Sequence, residues 1–368
     1  METRPIRVLV VDDSAFMRRI ISQLLGSEPD IEVVGTARDG LDGVEKALAL
    51  APDVITLDIE MPRLDGYGAL REIMRQRPTP VVMVSSHTRE GAEATIRALA
   101  MGAVDVLAKP SGPISLDMAT VRADLVRKVR AAAGAKVRYR RALAELPRLA
   151  RPKDPPAPGL APVAEAAGQV VVIACSTGGP GALHQVVPRL PADLGAGVLV
   201  VQHMPPGFTR SLANRLDEIS PIAVREAEEG DPVLPGQVLI APGGLHMTVT
   251  PGRRVHLTDD PPVHGVRPAA DPLLESAAQV FGSRVLAVVL TGMGYDGARG
   301  AYAVKRAGGR CVAEHESTCV VYGMPRAVVE MGLADEVLPV HEIAGAIARL
   351  VAAPPGGGAV AEAGGAAP

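Results

Sequence analysis

Two short apolar runs end in acids whose placement suggests chemistry. Val8-Leu9-Val10-Val11 leads directly into Asp12-Asp13, and Val54-Ile55-Thr56-Leu57 leads into Asp58. Carboxylates delivered by strand ends to one edge of a sheet suit a hard cation, because Mg²⁺ prefers oxygen ligands. With such a cation neutralising the crowded oxygens, a carboxylate can attack a phosphoryl donor, provided a fixed positive group receives the arriving charge. Asp58 is the expected nucleophile, and Asp12 and Asp13 are the expected metal ligands. Lys109, at the end of Val104-Asp105-Val106-Leu107, would pair with the acyl phosphate. Ser85, after Val81-Val82-Met83-Val84, carries a hydroxyl able to follow a new phosphoryl oxygen and so report modification. Each residue also has an ordinary alternative: an N-cap for Asp13, a turn acid for Asp58, a cap for Ser85, a solvated loop cation for Lys109. The placement of Asp12, Asp13, Asp58, Ser85 and Lys109 at strand ends on one edge weighs against five coincidences.

A hydroxyl, an imidazole and a third carboxylate recur in the same way further along. Ser176 follows the apolar run Val170-Val171-Val172-Ile173-Ala174-Cys175 and precedes Gly178-Gly179-Pro180-Gly181, where small residues allow a sharp turn into a helix N-terminus. Developing negative charge is favoured there. Such a turn could also cradle a phosphate or dinucleotide, but neither G-x-G-x-x-G nor a G-K-[ST] ending is present. His203 ends Val198-Leu199-Val200-Val201-Gln202 and could accept the hydroxyl proton, although a lone histidine at a strand end is more often structural. Asp296, in Leu290-Thr291-Gly292-Met293-Gly294-Tyr295-Asp296-Gly297, would orient the imidazole; its ordinary alternative is an N-cap for the helix that follows, from Ala298. The order Ser, His, Asp is not that of α/β-hydrolases, chymotrypsin or subtilisin, so the arrangement needs a fold of its own.

The elements that must position these groups are legible from alternation. The chain has 368 residues, enough for two domains. From Ile6 to about Ala133, apolar runs at Val8–Val11, Ile31–Val34, Val54–Leu57, Val81–Val84 and Val104–Leu107 alternate with amphipathic stretches. That pattern predicts an α/β fold with a doubly wound parallel sheet, whose ligands bind at the carboxyl ends of the strands. A stretch rich in Ala, Arg and Pro follows, and then a second α/β alternation with strands expected at Val170–Ala174, Val198–Gln202, Val238–Ile240 and Val285–Leu290. The expected division is 1–130, a linker at 131–168, a second parallel-sheet domain at 169–352, and a tail at 353–368 too poor in large apolar residues to order itself. Hydrophobic residues make up 47% of the chain and aromatics 2%, so the cores must be aliphatic. A formal charge of −3 gives no case for nucleic acid. Three scattered cysteines suggest neither zinc nor disulfides and fit a reducing cytosol. No signal-peptide core or membrane span is expected, so the chain reads as cytoplasmic, without membrane insertion, and nothing demands more than a monomer.

Two resemblances rest on these residues. Val11-Asp12-Asp13-Ser14, Leu57-Asp58-Ile59-Glu60-Met61-Pro62-Arg63-Leu64-Asp65-Gly66 and Lys109-Pro110 resemble the receiver domain of two-component response regulators, a flavodoxin-like (βα)5 fold. The likeness implies phosphotransfer to Asp58 from a histidine kinase, with Mg²⁺ held by Asp12, Asp13, Asp58 and a backbone carbonyl at Glu60 or Ile59. Ser176-Thr177-Gly178-Gly179, Gln202-His203-Met204-Pro205-Pro206-Gly207-Phe208-Thr209, Leu239-Ile240-Ala241-Pro242-Gly243, Gly292-Met293-Gly294 with Asp296-Gly297, and Tyr322-Gly323-Met324-Pro325 closely resemble the catalytic domain of the CheB family of chemotaxis methylesterases. That likeness implies Ser176 as nucleophile, His203 as base, Asp296 as its orienter, and backbone N–H groups of Thr177 and Met293 as oxyanion donors, with no cofactor in the hydrolase site. The implied substrate is a glutamate γ-methyl ester on cytoplasmic helices of a chemoreceptor, with amide hydrolysis of receptor glutamine as a second activity. The sequence departs from the family pattern at Ala174-Cys175, at Tyr295 and at His264-Gly265-Val266, which bears on substrate preference.

Overall fold

The computed structural model describes residues 4–86, 88–109, 118–135 and 166–353. The expected linker lies mostly, and the expected disordered tail almost wholly, outside these residues, as does Pro110.

The first unit is a five-stranded parallel sheet in the order β2-β1-β3-β4-β5. Its strands are β1 (Ile6–Val11), β2 (Ile31–Ala37), β3 (Val54–Asp58), β4 (Val81–Ser85) and β5 (Asp105–Ala108). The helices α1 (Ala15–Gly26), α2 (Gly40–Leu50), α3 (Gly66–Gln76), α4 (Arg89–Met101) and α5 (Met118–Ala133) cover its two faces. The strands are apolar because both faces are covered, as is general for parallel sheets. β3 and β4 are buried along their whole length. The strand order reverses beside β1, so the ends of β1 and β3 form the crevice where α/β sheets bind ligands.

The second unit carries a seven-stranded sheet in the order β14-β13-β12-β6-β7-β9-β8, every paired neighbour parallel. Those strands are β6 (Val170–Cys175), β7 (Gly197–Gln202), β8 (Ala223–Glu226), β9 (Gln237–Ile240), β12 (Val285–Val289), β13 (Arg310–Glu314) and β14 (Glu336–Leu338); β10 (His246–Val249) and β11 (Val255–Thr258) form a separate antiparallel hairpin. Its helices are α6 (Gly179–Val186), α7 (Phe208–Ile219), α8 (Ala270–Phe281), α9 (Ala298–Arg306), α10 (Met324–Glu330) and α11 (Val340–Ala352). The sequence reading located β6, β7, β9 and β12. β8, β13, β14 and the hairpin were missed because their apolar runs are short and broken by charge, as in Ala223-Val224-Arg225-Glu226 and Arg310-Cys311-Val312-Ala313-Glu314. This sheet also reverses direction, beside β6, and the loops after β6, β7 and β12 share one edge.

The two units are packed together. α4 lies against α6 and α7, and Ala98 and Leu99 belong to the same buried apolar cluster as Ala182, Leu183 and Leu212. Among the described residues no helix is long and apolar enough to cross a membrane.

Candidate functional site

At the first sheet's carboxyl edge, Asp12 and Asp58 are buried while Asp13 is exposed, and the carboxylates of all three approach within 4.8 Å of one another. Two of the ordinary alternatives, the caps at Asp13 and Ser85, are not what the structure shows. Ser14, not Asp13, caps α1 by accepting the Met17 N–H at 3.3 Å. Thr88, not Ser85, caps α4. Asp12 Oδ1 accepts the Ser14 N–H at 2.9 Å, and Asp58 Oδ1 accepts the Ile59 N–H at 2.7 Å.

The other oxygens, Asp12 Oδ2 and Asp58 Oδ2, are buried without an aligned hydrogen-bond donor. Lys109 Nζ compensates them by charge, at 3.1 and 2.7 Å. Two buried carboxylate oxygens sharing a single lysine beside an accessible third carboxylate, all within 4.8 Å, fit a hard divalent cation. Burial, with the charge of Asp12 added, pushes Asp58 up to about 6 against the pull of Lys109. Burial alone would lower Lys109, but the hydrogen bond and charge of Asp58 outweigh it and hold its pKa above the ordinary value. Ser85 is buried at the end of β4, and its carbonyl accepts the Lys109 N–H at 2.7 Å, which ties the serine and the lysine into one edge.

The second edge brings Ser176, His203 and Asp296 to neighbouring strand ends. β6 and β7 are paired as far as Cys175 and Gln202, the residues just before the serine and the histidine. Gln202 holds these two ends together: its Nε2 donates to the carbonyls of Ser176 at 3.0 Å and His203 at 3.2 Å. Its Oε1 accepts from the Cys175 thiol at 3.1 Å, so Cys175 positions Gln202 as well as packing. Burial pushes that thiol well above its ordinary range. The close approach of the third loop requires glycine at 292, where a Cβ would lie 2.8 Å from the Ser176 Cβ and 2.3 Å from the Met324 sulfur.

His203 Nε2 meets Asp296 Oδ2 at 2.7 Å, which leaves Nδ1 as the ring atom able to receive a proton from a hydroxyl. The Ser176 hydroxyl makes no hydrogen bond to His203 among the described residues. Asp296 does not cap its own helix. Its carboxylate crosses to α8 and accepts the N–H groups of Ala270 at 2.6 Å and Asp271 at 3.0 Å. Burial alone would raise its pKa, but the hydrogen bond and charge of His203 and these two amides outweigh that and hold it below the ordinary value. Among the described residues the N–H groups of Thr177 and Met293 donate no hydrogen bond to the protein.

The two units are also joined by a contact that sequence reasoning missed, between the amino end of β5 and the turn after β6. Thr177 Oγ1 donates to Asp105 Oδ2 at 2.6 Å, and Asp105 Oδ1 accepts from the buried Lys128 at 2.8 Å. Burial would raise Asp105, but the charge and hydrogen bond of Lys128 and the Thr177 hydroxyl hold it below its usual range. The Gly178 N–H also donates to the Val104 carbonyl at 3.0 Å. Beside this contact, Met293 and the α5 residues Arg122, Val126, Arg127 and Arg130 line a cavity of about 530 Å³. Ser176, His203 and Asp296 retain 3%, 9% and 2% of their exposure, so little of these three residues reaches solvent.

Fold and site define the class: a phosphoacceptor-type α/β sheet joined to a second α/β unit that gathers a serine, a histidine and an aspartate. The chain matches the CheB methylesterase family over residues 171–347 and the response regulator receiver domain family over residues 8–120. It is 66% identical to a protein of Symbiobacterium thermophilum over 95% of this chain and 98% of that protein. It is 48% identical to one of Pyrococcus abyssi over 96% of each chain, and 49% identical to one of Thermotoga maritima over 95% of this chain and 100% of that protein. All three bear the name protein-glutamate methylesterase/protein-glutamine glutaminase. The chain belongs to the CheB methylesterase family, with an N-terminal receiver domain.

Proposed function

We propose that this protein is a phosphorylation-activated serine hydrolase that removes methyl groups from glutamate γ-methyl esters on the cytoplasmic helices of chemoreceptors, for chemotactic adaptation. The observation that carries the reading is the buried His203–Asp296 pair at 2.7 Å, beside a serine at the adjoining strand end. The Ser176 hydroxyl attacks the ester carbonyl while His203 Nδ1 takes its proton, and the tetrahedral oxyanion is received by the N–H groups of Thr177 and Met293. His203 returns the proton to the departing methoxide, giving methanol and an acyl-Ser176. Water, deprotonated by the same imidazole, then releases glutamate and restores the serine. With an amide in place of the ester the leaving group is ammonia, which is the proposed glutaminase activity. Asp296 fixes the ring and stabilises the imidazolium. No cofactor is proposed for this site.

Residues 1–130 are the proposed phosphoacceptor unit and 169–352 the catalytic one. Asp12, Asp13, Asp58 and the Glu60 carbonyl would hold Mg²⁺, which supplies charge neutralisation as a phosphoryl group arrives; the Ile59 carbonyl already accepts the Gly66 N–H at 2.9 Å. Asp58 accepts the group from a chemotaxis histidine kinase, Lys109 pairs with the new phosphoryl charge, and Ser85 follows it. The buried triad and the Asp105–Thr177 bridge support a resting state in which the receiver covers the catalytic edge until Asp58 is modified. The proposed setting is the cytoplasm, as a monomer, without nucleic acid or membrane insertion.

The test is methanol release from a methylated receptor fragment, with acetyl phosphate and Mg²⁺ supplied. Ser176→Ala is expected to abolish turnover while still accepting phosphate, and Asp58→Ala to keep basal turnover while losing the response to phosphodonor. Wild-type turnover by Ser176→Ala overturns the hydrolase reading, and a wild-type response by Asp58→Ala overturns the switch.

A further inference from the structure

A second imidazole stands beside the triad, at the tip of a two-residue turn. Val263 and Val266 exchange N–H to carbonyl bonds of 3.2 and 3.0 Å, so only His264 and Gly265 form the turn between them. Both central residues have positive φ, +54° at His264 and +75° at Gly265. Such turns need positive φ at both central positions, and histidine is among the few residues with a side chain that adopt it readily.

The turn aims the ring inward. His264 Nε2 lies 2.7 Å from Asp271 Oδ2 and 3.9 Å from Asp296 Oδ1. Its ring packs edge-on to Tyr295, with centroids 4.7 Å apart and planes at 72°. Two of the three departures from the family pattern therefore touch each other beside the proposed orienter.

Asp271 explains what the imidazole acts on. α8 and α9 lack side-chain caps of their own, since Ala269 and Gly297 occupy the N-cap positions. Each helix is capped instead by the other's aspartate. Asp296, just before α9, accepts two α8 amides, and Asp271, in the first turn of α8, accepts the Gly297 N–H at 2.9 Å and the Gly300 N–H at 2.7 Å. Neither carboxylate can move without releasing amides of the other's helix. Asp271 Oδ1 serves that cross-cap, and Oδ2 belongs to His264. The remaining charged group near Asp271 is Arg299 Nε at 3.8 Å, whose closer partner is Glu275 at 2.6 Å.

We propose that His264 is a positioning residue for the triad: by donating from Nε2 to Asp271 it fixes the cross-cap that aims Asp296 at His203, with Tyr295 holding the ring in place. The proposal rests on the triad reading above. Neutral or cationic, the ring can donate from Nε2, so the hold does not depend on its charge; the groups facing it are Asp271, Asp296, Tyr295 and Arg299.

The test uses the full chain and methanol release from a methylated receptor fragment. His264→Ala is expected to lower kcat by about tenfold with KM unchanged, because misplacing the orienter affects the proton transfer rather than substrate binding. A displaced carboxylate stabilises the His203 imidazolium less, so the acid limb of the kcat profile should move down by about half a pH unit. Loss of folded protein would reduce amplitude and leave that limb in place. His264→Gln, which keeps a donor, should restore most of kcat and the limb. Wild-type kcat and limb in His264→Ala overturn the proposal, as does a Gln variant no better than Ala. Ser176→Ala is assayed in parallel: if it is inactive while His264→Ala behaves as wild type, only the positioning role falls, whereas an active Ser176→Ala removes the triad beneath it.

Discussion

Asp58 and Asp296 sit at the carboxyl edges of two parallel sheets with 1% and 2% of their exposure left, yet their surroundings drive them in opposite directions. Asp58 has one aligned amide, a neighbouring carboxylate and a lysine, and burial raises its pKa to about 6. Asp296 has two amides and an imidazole, enough to overcome the same burial and lower it. Desolvation alone does not set the behaviour of a buried acid; the donors aimed at it and the charges beside it do. The receiver carboxylate is left under-satisfied, which suits the phosphoacceptor role proposed for it. Its hydrolase counterpart is saturated, which suits a group meant to stay ionised and still.

The largest expected effect breaks the saturated side. Asp296→Asn should lower kcat on a methylated receptor fragment by on the order of 10³-fold, since the amide can present the wrong group to His203. It should also lower the melting point, more so at neutral pH than near pH 3, because the contribution of a carboxylate held below its ordinary pKa is lost as pH falls through the folded value. A variant within threefold of wild type in kcat would show that the carboxylate is not the orienter.

A smaller effect tests the bridge between the amino end of β5 and the catalytic edge. Thr177→Val removes the hydroxyl donated to Asp105 but leaves the backbone N–H and the Asp105–Lys128 pair intact. A hydrogen bond to a charged acceptor contributes about 1.5 kcal/mol, so basal turnover of the unphosphorylated chain should rise by up to about tenfold, with little change once acetyl phosphate is added. Unchanged basal turnover would mean that this bond does not hold the closed state.

The smallest effect sharpens the under-satisfied side. Asp58 is raised above its unfolded value, so its favourable contribution to stability is present below about pH 4 and lost as pH rises through about 6. Asp58→Asn in EDTA should therefore stabilise the receiver by on the order of 1–2 kcal/mol at pH 7.5, a value discounted for solvent screening, and the gain should shrink toward zero at pH 4. Urea melts at the two pH values decide it; destabilisation at pH 7.5 would show that Lys109 outweighs burial.

The comparison also marks the limit of what the chain order reveals. Apolar runs terminating in Asp12, Asp58, Ser176 and His203 were legible because each strand and the group it delivers are contiguous in sequence. Asp296 was legible as a residue but not in its contacts, since an acid before a helix reads as that helix's cap and here it caps α8 instead. Asp105 and Asp271 gave no signal: the first finds Thr177 72 positions away, and the second is one acid among several until α9 folds beside it. Gln202 is visible as an amide ending an apolar run, but its task of tying Ser176 to His203 exists only once β6 and β7 are neighbours. The strands that escaped notice, β8 and β14 at the sheet margins and β13 next to one of them, bear charged residues because margins need no unbroken apolar run.

Cys175, Cys311 and Cys319 are all buried, and Cys175 lies one residue before the proposed nucleophile. Alkylating reagents attack thiolates, and burial suppresses that form in Cys175 and Cys311. The intact protein should therefore be inert to such reagents except during transient excursions that admit solvent. The strand carrying the serine thus contains its own chemical clock, whose rate reports how often the covered edge breathes.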